Sequence, residues 1–187
     1  MKMKGLLHRS FRAVLCVFVA SLAGGQAVAG TAELNVSAEA ALTNLYSHIP
    51  VAKELSKKAT AVLVFPSIIK AGFLVGGEYG DGVMRKDGKP TGYYRTAGVS
   101  YGLQAGAQDF GYALFFMDPK SLAYLDSNDG WELGTGPSLV VVDEGMAETL
   151  TTTTIQDGVY AFVFGQSGLM AGMGIQGSKI TQIDPGN

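Results

Sequence analysis

Apolar residues recur at helical spacing from Leu34 through Ala38, Ala41, Leu42 and Leu45 to Ile49, the signature of one buried helix face. Ser37 reads as the N-cap, with Glu39 near the positive end of the helix dipole. Pro50 interrupts the pattern because its ring and missing N–H oppose a helix interior. A second, short helix is expected over 51–59, with Val51, Leu55 and Ala59 inward. Lys53, Lys57 and Lys58 fall largely on its other side, and Glu54 stands four residues before Lys58. After Ala59 the texture becomes that of strands. Residues 61–65 form a fully apolar run closed by Pro66. The runs 73–85 and 91–108 flank Lys86-Asp87-Gly88-Lys89-Pro90, where Asp-Gly signals a hairpin turn. Another strand is expected over 110–117. Asp118-Pro119 then reads as the N-cap and first residue of a helix reaching Leu125. Strands over 131–133, 138–143, 159–164 and 168–183 complete a mainly antiparallel set.

Glycines punctuate these strands with a fixed parity. In 98–106 one face reads Gly98, Ser100, Gly102, Gln104, Gly106, and the other Val99, Tyr101, Leu103, Ala105. Gly72, Gly76, Gly80 and Gly82 repeat the parity, as do Gly168, Gly172 and Gly174. Glycine weakens a strand by about 0.5–1 kcal/mol relative to alanine, so a bare face implies close backbone approach or sharp curvature. The fold expected is α+β: N-terminal amphipathic helices packed on a strongly curved, mainly antiparallel, Gly-rich sheet or small barrel.

The chain's first 29 residues read differently. Lys2, Lys4, Arg9 and Arg12 precede an apolar stretch over 13–23 and a small-residue site, Ala27-Val28-Ala29, the layout of a secretory signal peptide. The stretch is shorter than the ~20 residues of a transmembrane helix. One domain is expected over 30–187, exported to the periplasm or envelope or beyond the cell. Removing those four cations leaves 10 Lys+Arg against 16 acids, so the net charge falls from −2 to −6, which argues against a nucleic-acid partner. Cys16 leaves with the same segment, so the remainder has no disulfide and no thiolate nucleophile.

Motifs that suggest enzymes lack their context. Gly98-Val99-Ser100-Tyr101-Gly102 matches the nucleophile-elbow pattern, but Ser100 sits in a strand pattern and His48 lies upstream, against the required order. Gly172-Met173-Gly174-Ile175-Gln176-Gly177 matches a dinucleotide fingerprint without room for the helix and acid that must follow. His48 has no clustered metal-ligand partners. Asp126, Asn128, Asp129 and Glu132 fall short of calcium-loop spacing, and Asp143-Glu144 reads as a solvated turn. No catalytic residue, cofactor or metal is expected.

Chemistry on the surface is more suggestive. Lys53, Lys57, Lys58 and Lys70 fall within eighteen residues of an otherwise acidic chain: either a basic patch suited to anionic lipid or solvated lysines on a helix packed against the core. Ser67-Ile68-Ile69-Lys70-Ala71-Gly72-Phe73, preceded by 57–64, and Tyr160-Ala161-Phe162 leading into 168–178 resemble the SYLF domain. The likeness covers about 34–183. Val140-Val141-Val142-Asp143-Glu144-Gly145 and 112–117 resemble its secreted bacterial branch. The resemblance implies a non-enzymatic domain that binds phosphoinositide-like lipids through its N-terminal helix and basic residues, and in some members binds actin. In an exported bacterial protein the expected partner is an anionic phospholipid surface, contacted by Lys53, Lys57, Lys58 and Lys70. A protein partner, actin-like or structural in the envelope, is the alternative expectation. A small-molecule carrier with a Gly-lined cavity is a third.

Overall fold

The computed structural model describes residues 30–127, 130–142, 158–168 and 177–184. The order is α1 (Thr31–His48), α2 (Pro50–Ser56), β1 (Ala61–Lys86), β2 (Lys89–Phe116), α3 (Pro119–Asp126), β3 (Trp131–Glu132), β4 (Leu139–Val142), β5 (Val159–Gly168) and β6 (Lys179–Ile183). The class is α+β, with three helices against one strongly curled sheet. β2 is its spine. β1 pairs along its whole length, while β6 takes the other side of residues 93–97 and β5 that of 108–116. All these pairings are antiparallel; β4 alone joins parallel, to β5. Asn128 and Asp129, Asp143-Glu144, the glycines of 168–176 beyond Gly168, and the segment 1–29 expected to be a signal peptide lie outside the described residues.

Helix α1 begins six residues before Ser37, with Gly30 at its N-cap and Glu33 in its first turn, where a carboxylate favours the dipole. Pro50 ends one helix and opens the next, tolerated at N1 because that N–H has no intrahelical partner. In α2 it is Ala52 and Leu55 that are buried; Val51 and Ala59 are only partly covered. The Asp118 cap is as expected. Its Oδ1 accepts from the Ser121 N–H at 2.7 Å, and its Oδ2 from the Gly158 N–H at 2.9 Å, tying α3 to the start of β5.

Pro66 does not end β1. The ladder slips between Phe65 and Ile68, and a bulge accommodates a residue that cannot donate. The 26-residue β1 and 28-residue β2 therefore form one long hairpin. Its turn is Asp87-Gly88, both at positive φ (50° and 74°), as a type I′ turn requires. Halfway along, between Gly72 and Leu74, the ladder slips again and the ribbon folds back on itself. A Cβ on Gly80 would stand 2.6 Å from the Ser67 carbonyl oxygen, and one on Gly82 2.7 Å from that of Val64. The two arms of β1 touch backbone to backbone, which is the approach that the glycine parity anticipated.

Folding back creates two apolar layers. Inside the curl lie Leu63, Phe65, Ile68, Met84, Tyr94, Tyr112, Leu114, Phe116, Trp131 and Ile180. Outside, Leu34, Ala38, Leu42 and Leu45 of α1 and Leu55 of α2 cover Val62, Val64, Val83, Phe115 and Phe162. The apolar face of α1 is thus spent on the sheet, as expected of amphipathic helices packed on it.

Gly80→Ala is expected to destabilise the chain by about 1–3 kcal/mol, the usual cost of overpacking. Gly77→Ala, whose nearest neighbour would be 3.8 Å away, is the near-neutral control in urea titration. Burial pushes the Asp118 carboxyl up, but hydrogen bonds from Ser121, Gly158 and Lys120 outweigh it and hold it below the usual carboxylate range. A depressed group stabilises above its unfolded value and loses that contribution as pH falls through the folded one. Asp118→Ala should therefore cost about 1–2 kcal/mol at pH 7, with the difference from wild type shrinking below about pH 4 in thermal melts.

Candidate functional site

The fold gathers cations that the sequence keeps apart. Because β1 doubles back, the hairpin turn returns to the end of α2. Ser56 and Lys57 share with Glu39, Tyr46, Arg85 and Asp87 the walls of a cleft of about 370 Å³. Lys53, Lys57 and Lys58 are exposed on α2 or just after it, and Lys86 and Lys89 are exposed on either side of the turn. With Arg85, six of the ten cations beyond residue 29 occupy this end, against Glu39, Glu54 and Asp87. Lys57 pairs with Glu54 at 2.7 Å, and Arg85 pairs with Glu39 while donating to the Gly88 carbonyl. The Lys57 hydrogen bond holds the Glu54 carboxyl below its ordinary range. Burial, more than the opposing hydrogen bond with Ser56, pushes the Tyr46 hydroxyl up. Lys86 and Lys89 were legible as turn residues but not as neighbours of α2, since only the fold-back brings them there.

Lys70 does not join this end. Its side chain points into the curl, is under a tenth exposed, and faces Glu78 at 3.8 Å. This corrects the grouping of the four lysines on one surface: in β1, Lys70 shares a parity with the interior residue Ile68. Around it lies a buried polar cluster. Ser178 donates to the Glu78 carboxylate. Gly98 is Glu78's cross-strand partner, and a Cβ there would crowd Glu78 Cγ to 3.1 Å. Gln108 faces Lys70 across the ladder, and its Oε1 has no hydrogen-bond partner among the described residues. Nearby the Tyr112 hydroxyl donates to Thr96 at 2.9 Å. Burial, with Glu78 adding to it, raises the Tyr112 hydroxyl far beyond its ordinary range.

The other motifs resolve simply. Ser100 lies in the middle of β2, with no strand–turn–helix around it. His48 ends α1, exposed, its Nδ1 2.9 Å from the Asn44 carbonyl. Asp126 accepts from the Tyr94 hydroxyl at 3.0 Å. No group of three metal-ligating side chains occurs among the described residues, nor any helix long and apolar enough to cross a membrane. Comparison with protein-family models and with curated proteins found no match.

Removing one member of a buried ion pair leaves the other uncompensated, at a cost of about 3–5 kcal/mol. Lys70→Met is expected to lose stability on that scale in urea titration. Lys70→Met combined with Glu78→Gln should recover most of it, because neither buried group then carries charge.

Proposed function

We propose that this chain is a non-enzymatic lipid-binding domain of the SYLF type, exported to the envelope, that docks its basic end on anionic phospholipid. The observation that carries the reading is that Lys57 and the Asp87-Gly88 turn line one cleft, with the exposed Lys53 and Lys58 next to the first and the exposed Lys86 and Lys89 flanking the second, in an acidic chain. Each such cation near an anionic leaflet contributes about 1 kcal/mol. The separation of charge also orients the domain before contact. The apolar face of α1 is committed to the sheet, so at this end attraction is electrostatic and the curled sheet, a half-closed barrel in outline, serves as scaffold. Lys70 has no part in headgroup contact in this reading; it belongs to the interior.

Co-sedimentation with phosphatidylglycerol vesicles tests this, using the chain from Gly30 onward, which carries every described element. Binding is expected to need anionic lipid and to weaken between low and high salt. Charge reversal of Lys53, Lys57 and Lys58 to Glu should weaken it at least tenfold, and adding Lys86→Glu and Lys89→Glu should weaken it further. Undiminished binding by the fivefold variant would remove the basic end as the lipid site. A defined protein captured without lipid, and unaffected by these changes, would favour an interaction module instead.

A further inference from the structure

Near the helices the curled sheet is apolar on both faces, the inner one enclosed by the curl and the outer one covered by α1 and α2. Leu63, Phe65, Tyr112 and Leu114 are fully enclosed. At the bend the inner face turns polar and the apolar outer face is left uncovered. Ile69, Val75 and Val99 point outward and are 61%, 55% and 66% exposed, with Tyr79 at 45%. Their neighbours facing inward are Lys70, Glu78 and Gln108, each under a tenth exposed. Ile69 and Tyr79 are the outward chain neighbours of Lys70 and Glu78, which approach each other to 3.8 Å across the fold-back. Apolar-out and polar-in is the alternation of strands that meet hydrocarbon.

Charge on this face is graded in the same sense. Tyr79, Ala97 and Lys179 form one cross-strand row, all exposed. In the next row toward the turn, Arg95 lies 4.8 Å over the Tyr79 ring and pairs with Asp81 at 2.7 Å. Aliphatic side chains, then Tyr79 with Lys179 in its row, then the Arg95–Asp81 pair follow the order of acyl chains, interface and headgroup zone. Asp109, opposite Ile69 and accepting from Ser67 at 2.9 Å, limits the apolar face on its other side.

We infer that the bend is a second lipid contact, placing Ile69, Val75 and Val99 among acyl chains, Tyr79 at the interface, and Arg95 and Lys179 beside anionic headgroups. The inference rests on the lipid-binding reading but on a different part of the molecule. From Ala61 to Gly72 strand β1 runs roughly 35 Å, so the bend and the basic end are opposite poles. A domain engaged at both poles joins two bilayers.

Residues 30–187 contain no cysteine, so single cysteines at Val75, Val99 and, as a control on α3, Lys120 can carry an environment-sensitive fluorophore. With phosphatidylglycerol vesicles, emission at 75 and 99 is expected to shift blue and to be quenched by nitroxide-labelled acyl chains, while 120 stays unchanged. Light scattering should report vesicle clustering, lost in Val75→Asp/Val99→Asp, a pair of exposed positions whose melting temperature should match wild type. Unshifted probes at 75 and 99 on protein that still pellets with vesicles would overturn the bend contact and leave the basic end standing. Wild type that fails to pellet at all would remove both. A lipid-free oligomer abolished by the aspartates would assign the face to a second copy and overturn the lipid assignment.

Discussion

A two-stranded ribbon of this length closes on itself only where nothing stands between its arms. Everything else in this protein depends on that approach. Gly80 and Gly82 leave room for the carbonyls of Ser67 and Val64, and with them β1 becomes two neighbouring arms. Without it there would be no enclosed layer around Phe65, Tyr112 and Trp131, and α1 would have no double row of Val64 and Val83 to cover. Glycine's entropic cost in a strand is offset by the apolar area that the closed curl removes from water.

The same approach sets the electrostatics. By returning the hairpin turn to the end of α2 it brings Asp87 and Gly88, flanked by Lys86 and Lys89, to the cleft that Lys57 lines. By facing Lys70 with Glu78 it buries one cation deep within the curl. A buried pair of this kind contributes less through net attraction than through what it forbids, since sliding the arms past one another would strand a charge in a low-dielectric interior. Register along a glycine-rich ribbon is otherwise weakly specified. Lys70, Glu78, Ser178 and Gln108 supply the specificity that bare glycines cannot.

Polarity is therefore distributed by position along the ribbon. Near α1 and α2 the sheet is covered on one face and packed on the other. Beyond Pro66 the helices give out, and the outer face carries Ile69, Val75, Tyr79 and Val99 uncovered. One pole is cationic and hydrated, the other apolar and bordered by Tyr79, Arg95 and Lys179. The proposed lipid contact would draw on both, the first through charge and the second through area.

Local signals determined a good deal of this. The helix face of Leu34 to Leu45, the break at Pro50, the Asp87-Gly88 turn, the Asp118 cap and the alternation of Val99 with Gly98 each depend on near neighbours, and each stands as read. Helix starts and strand ends depended on more: Glu33 and Leu34 extend α1 past its expected cap, and a bulge carries β1 through Pro66. What only the tertiary structure decided was which separated segments meet. Lysines near in sequence part company because strand parity sends Lys70 inward while Lys53, Lys57 and Lys58 stay on a helix in water. Lysines distant in sequence come together because the ribbon folds at Gly72. Periodicity says which face a residue takes, but only the path of the chain through space says what that face meets.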